Sequence, residues 1–261
     1  MPIIQAVLFD LGGTLLHYDQ PPEHTFEAIN SRALHAFVRS VVERGVKVPD
    51  PDLAIRATVR MAAALEAKSK RTLHSNRAEM VIREGLEAVG IRVPDKVFDT
   101  AMAAYYQAIS DVVKPVGEDT ASVLQEIVDQ GRQLALVSNT LWAPEMHDAD
   151  LTRFGLIDYL PVRVYSSCAG FVKPDERIFR QALDPFDVAP AEAVYIGDKL
   201  DVDVAGPQKI GMRAILIRSP YRAEESEEII PDAVIDSLAQ LPGLLEEWDR
   251  ALETQATVPP R

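Results

Sequence analysis

Four short stretches of the chain place acids, hydroxyls, an amide or a lysine at or just after an apolar run. "AVLFDLGGTLL" ends its first run in Asp10, followed by Gly12, Gly13 and Thr14. "QLALVSNT" ends in Ser138, Asn139 and Thr140, and "GFVKPD" carries Lys173. "AVYIGDKLDVD" ends in Asp198, Asp201 and Asp203. Each residue type has a use in phosphoryl chemistry. A carboxylate can attack phosphorus and form an acyl phosphate, which splits one hard step into two. An acidic pair offers the hard oxygens that Mg2+ takes, with substrate phosphate and water completing the octahedron. The metal then lets one anion approach another. A lysine and a hydroxyl can hold the remaining phosphoryl oxygens. Glycines let backbone amides come close to a phosphate.

These groups can act together only if the fold collects them. Residues 3–9, "IIQAVLF", read as a central strand of a parallel sheet. Residues 22–112 then read as helical. Phe26, Ile29, Ala33, Leu34, Phe37, Val38 and Val41 follow helical spacing, and Asp50-Pro51 looks like the cap and first turn of a second helix. A third helix is expected from about Asn76 to Val89 with Gly90 as its stop, and a fourth from about Pro94 through Ile109. From Lys114 onward helices alternate with strands at "QLALVSN", "VRVYSS", "AVYIGD" and "RAILIR", and "DAVIDSL" leads into a last helix. That alternation predicts a doubly wound α/β parallel sheet, joined by residues 3–9 and carrying the helical stretch as an insertion. In such sheets ligands bind at the carboxyl ends of the strands, where the residues above lie.

Composition narrows the classes. The 261 residues are 47% hydrophobic, enough for a large core. A formal charge of −13 argues against a nucleic-acid partner, while a small phosphorylated substrate needs only a local positive site. The single cysteine, Cys168, permits no internal disulfide and reads as a small buried filler. No stretch approaches the roughly 18 to 20 apolar residues of a membrane span, and no basic segment with an apolar signal core opens the sequence. The expectation is a cytoplasmic protein, monomer or homodimer.

Four motifs, "DLGGTL", "LVSNT", "VKPD" and "GDKLDVD", stand in the order found in the haloacid dehalogenase superfamily. The chain resembles its hydrolases with a helical cap, and its phosphatases above all. The resemblance covers residues 3–16 and about 115–240. It implies a core domain of residues 1–17 and 115–261 and a cap domain of residues 18–114. It also implies roles. Asp10 is the nucleophile and a Mg2+ ligand, and the carbonyl of Gly12 is a second ligand. Gly13, Thr14, Ser138 and Asn139 bind the phosphoryl group. Lys173 balances charge on Asp10 and the phosphate. Asp198 completes the metal site and Asp203 supports it.

Gly12 departs from the pattern, which has a second Asp there as general acid. Such help is typically worth roughly 10²- to 10⁴-fold, and its loss matters most for alkyl phosphates, whose leaving groups are poor. Three readings follow: a phosphatase with a substitute acid such as Asp19, His17 or a cap residue; a different reaction, such as phosphonate hydrolysis through a lysine like Lys68 or Lys70; or a catalytically weak phosphate-binding relative. Dehalogenation fits poorly, since the dehalogenases of the family it resembles carry a bulky aromatic at this position and lack this acidic fourth motif. Asp201 reads as surface charge, Tyr105 and Tyr106 as packing, and His24, His35, His74 and His147 as surface or satisfied core residues.

Overall fold

The computed structural model describes residues 2–18, 26–218 and 226–256. Its centre is a parallel sheet of six strands: β1 (Ala6–Phe9), β4 (Gln133–Ser138), β5 (Val162–Tyr165), β6 (Ala193–Gly197), β7 (Arg213–Ile217) and β8 (Ala233–Ile235). The spatial order is β5-β4-β1-β6-β7-β8. The chain winds outward from β1 in both directions, so β1, β4 and β6 flank the switch point where such sheets bind ligands.

The near-continuous apolar runs reflect burial on both faces. Successive residues of β1 face opposite sides. Val7 and Phe9 join Leu134, Leu136, Val194 and Ile196 in a core that also takes in α5 (Thr120–Asp129) and α10 (Leu241–Ala256). Ala6 and Leu8 join Ala135, Val137 and Tyr195 on the other face, covered by Ile178, Phe179, Ala182 and Leu183 of α8 (Glu176–Leu183).

Between β1 and α5 lie four helices, α1 (Phe26–Glu43), α2 (Pro51–Thr72), α3 (Ala78–Glu87) and α4 (Asp95–Ser110). α1 packs on α4, and α2 on α3. Asp50 caps α2 by accepting the Leu53 N–H at 2.9 Å. Two features were not expected from sequence. The four helices are bracketed by a minimal antiparallel pair, β2 (Leu16–His17) and β3 (Lys114–Pro115). The segment "DAVIDSL" opens with a sixth strand. "VRVYSS" ends as a strand at Tyr165, because Ser166 starts the short helix α7 (Ser166–Ala169). The remaining helices are α6 (Pro144–Arg153) and α9 (Ala205–Gln208). No helix among the described residues is long and apolar enough to cross a membrane.

A loop of the sheet half plugs into the four-helix segment. Trp142 is buried, and its indole N–H donates to the Tyr105 hydroxyl at 3.2 Å. Ala78 N–H donates to Leu141 O at 2.8 Å, and Ala143 N–H to the Tyr106 hydroxyl at 3.2 Å. This loop directly follows Ser138 and Asn139, so the helices dock on the edge where the candidate residues lie.

Phe179 packs edge-on against Tyr195, ring centroids 5.2 Å apart, beneath that edge. Phe179→Ala should cost about 3–5 kcal/mol, measured as a lower urea midpoint with an unchanged slope.

Candidate active site

β1 ends at Phe9, and the Asp10 N–H still reaches Ile196 O at 2.8 Å, so the ladder to β6 fixes the backbone of Asp10. Lys173, on the loop after α7, sends its ammonium to three acceptors at 2.7 Å each: Asp10 Oδ1, Asp203 Oδ1 and the Tyr195 hydroxyl. All three N–H bonds are thereby used. Tyr195 donates its own proton to Val137 O at 2.7 Å, so its oxygen is the acceptor for Lys173. Burial opposes the Lys173 charge, but Asp10 and Asp203 outweigh it, and the ammonium titrates above its usual range. Burial pushes the Asp203 carboxyl up against the pull of Lys173.

Asp203 reaches this position through a wide π-type turn, Leu200–Val204, that follows β6. Such turns recur at functional sites. Gly197 makes room for it, since a Cβ there would collide with the Asp203 side chain. The Lys199 N–H holds Asp203 Oδ2 at 3.1 Å. Asp10, Asp198 and Asp203 offer carboxylate oxygens within 4.8 Å of one another. Their exposures are 5%, 3% and 0%. Three carboxylates against one ammonium leave a formal charge of about −2 in a site screened from water, which a divalent cation would neutralise. The hard oxygen donors and the clustered acidic charge therefore fit a divalent metal.

The glycine loop closes over this cluster. Gly13 has φ +88°, and a Cβ on it would strike the Asp198 carboxylate. Gly12 is different, since a Cβ there would meet only Tyr18 Cδ2, at 3.6 Å. Thr14 is fully buried, and its hydroxyl lacks a protein partner among the described residues.

The structure also places the other candidates. Ser138 is buried at the end of β4. Asn139, expected as a phosphoryl ligand, turns its carboxamide to the backbone of Lys173. Its amide donates to Lys173 O at 3.0 Å and its oxygen accepts the Lys173 N–H at 2.7 Å. It secures the lysine. Asp201 is exposed, as read. Lys70 forms an exposed pair with Glu66 at 3.0 Å, which raises its pKa, and Lys68 is exposed, so neither is the buried amine that Schiff-base chemistry needs. Cys168 is exposed, which corrects the reading of a buried filler. It sits on the outer turn of α7, where its thiol takes an Arg77 N–H at 3.3 Å. His35 and His74 are exposed, and His147 is a satisfied core residue between Tyr18 and Thr140. His17 is half-buried on β2. His24 and Asp19 lie outside the described residues. Tyr195 was missed, although a phenol in the middle of a central strand is a signal, because its hydroxyl must find a partner when buried.

Comparison with known proteins agrees with this geometry. Residues 4–211 match the model of the haloacid dehalogenase-like hydrolases. The chain belongs to that family. This hydrolase is 27% identical to a glyceraldehyde 3-phosphate phosphatase of Methanopyrus kandleri, over 94% of this chain and 98% of the relative. It is 28% identical to a ribulose-1,5-bisphosphate 5-phosphatase of Halopiger xanaduensis, over 92% and 98%. Among solved structures, a 2-haloacid dehalogenase of Pseudomonas syringae superposes with a TM-score of 0.67 at 26% identity, covering 94% of this chain and 99% of that one.

Two outcomes follow for the hydrolase. Gly13→Ala should abolish activity by displacing Asp198, while Gly12→Ala should retain the fold and most activity; steady-state assays compare them. Burial lowers the His147 pKa from 6.5 to about 3, so the folded state stays neutral while the unfolded chain takes up a proton. That contribution to stability is intact above pH 6.5 and is lost as pH falls toward 3. Wild-type stability should therefore fall faster between pH 6.5 and 5 than that of His147→Gln, by up to ~1.4 kcal/mol per pH unit. Equal slopes would contradict it.

Proposed function

We propose that this hydrolase is a Mg2+-dependent phosphatase of a small phosphomonoester, with Asp10 as nucleophile. The observation that carries the reading is the buried cluster of Asp10, Asp198 and Asp203, with the Lys173 ammonium bonded to Asp10 and Asp203. Relatives named as phosphatases that align over nearly the whole chain support it. The acidic fourth motif, which puts Asp198 and Asp203 into the cluster, gives dehalogenation no support.

Asp10, Asp198 and the backbone carbonyl of Gly12 would hold Mg2+, with Asp203 supporting them. When bound, the metal screens the negative charge between nucleophile and phosphate. Asp10 attacks phosphorus, the P–O bond to the alcohol breaks, and an aspartyl phosphate forms; water then attacks that phosphorus and returns Asp10. Lys173 aims Asp10 through the bond to its Oδ1. Ser138, Thr14 and the Gly13 backbone bind phosphoryl oxygens. Residues 1–17 and 115–261 form the core domain and residues 18–114 the cap. Because the acidic cluster is buried, the cap must swing aside to admit substrate and then exclude water. The protein works in the cytoplasm.

Gly12 leaves the leaving-group oxygen without a carboxylic acid beside it. Para-nitrophenyl phosphate and acetyl phosphate should therefore turn over faster than alkyl sugar phosphates, with activity lost in EDTA and in Asp10→Asn. Gly12→Asp should raise the rate on alkyl phosphates by roughly tenfold or more, because the backbone there tolerates a Cβ. Complete inertness toward every ester, with phosphate still bound, would replace this reading by that of a binding-only relative.

A further inference from the structure

Hydrogen-bond accounting identifies a donor that the reading above does not use. The buried Tyr18 hydroxyl lies 2.8 Å from His147 Nδ1 and makes no other hydrogen bond among the described residues. Burial keeps the phenol protonated, so its one proton goes to Nδ1. His147 is fully enclosed and neutral, which makes one ring nitrogen an acceptor and the other a donor. With Nδ1 accepting, Nε2 carries the hydrogen and donates to Thr140 Oγ1 at 2.8 Å. The same Oγ1 accepts the Trp142 N–H at 3.0 Å. Both lone pairs of the Thr140 hydroxyl are then taken. Its own proton finds no acceptor among the described residues, and the residue is half-exposed.

Thr140 stands one residue past Asn139, off the end of β4, which pairs with the strand that carries Asp10. Ser166 clamps its backbone, accepting the Thr140 N–H at 2.9 Å and donating to Thr140 O at 3.0 Å. A hydroxyl locked as a donor, half-exposed on the loop at the carboxyl end of β4, suits an anionic oxygen at that edge of the sheet.

We propose that Thr140 donates to a phosphoryl oxygen of the bound ligand, with His147 and Tyr18 as positioning residues that fix the direction of its proton. The identity of the ligand rests on the phosphatase reading. Titration calorimetry with inorganic phosphate in excess Mg2+ should show binding at least about tenfold weaker in Thr140→Val and within about threefold of wild type in Thr140→Ser, as for a hydrogen bond to a charged group. Long-range 1H–15N spectra of histidine-labelled protein, with His147 assigned by its loss in His147→Gln, should show the Nε2–H tautomer. Wild-type phosphate affinity in Thr140→Val, or an Nδ1–H tautomer at His147, overturns the proposal. Thr140-dependent phosphate binding without ester turnover would remove the phosphatase reading and leave this one standing; turnover with unimpaired Thr140→Val would do the reverse.

Discussion

One buried ammonium holds the site together. Lys173 spends its three N–H bonds on Asp10, Asp203 and Tyr195, each at 2.7 Å. Those partners come from the end of β1, the turn after β6 and the middle of β6. Tyr195 passes the link to Val137 on β4, and Asn139 returns it by clasping the Lys173 backbone. Breaking a buried pair leaves an uncompensated charge, which costs several kcal/mol. The lysine thus ties three neighbouring strands of the sheet into one charged unit, and the remaining excess of negative charge gives that unit its appetite for a divalent cation.

The backbone around this unit is shaped for close approach. Gly13 lets the first loop pass the Asp198 carboxylate, and Gly197 lets the π-type turn fold Asp203 back on β6. Gly12 has no such constraint: its φ is not positive and a Cβ would be accommodated. The missing acid is therefore a matter of chemistry and leaves the backbone unaffected. The ring of Tyr18 flanks that position, and its hydroxyl faces away toward His147.

Much of this was legible in the sequence. The strand-ending acids and Lys173 fall where apolar runs stop, and the parallel sheet presents strand ends on one edge. That is why Asp10, Lys173, Asp198 and Asp203 converge as expected. What escaped was side-chain partnership across strands. No spacing rule pairs Tyr195 with Lys173, or Asn139 with a backbone 34 positions away. Cys168 was misread because its type favours burial, whereas its place on a one-turn helix exposes it. β8 was missed because three residues give too short a period to register.

The nucleophile can be tested chemically. Acid quenching during turnover of para-nitrophenyl phosphate, followed by borohydride reduction, converts an aspartyl phosphate into homoserine. Homoserine at position 10 in the peptide mass spectrum, absent without substrate, is the expected result. Phosphate release with Asp10 unmodified at every quench time would contradict a covalent nucleophile at the centre of this site.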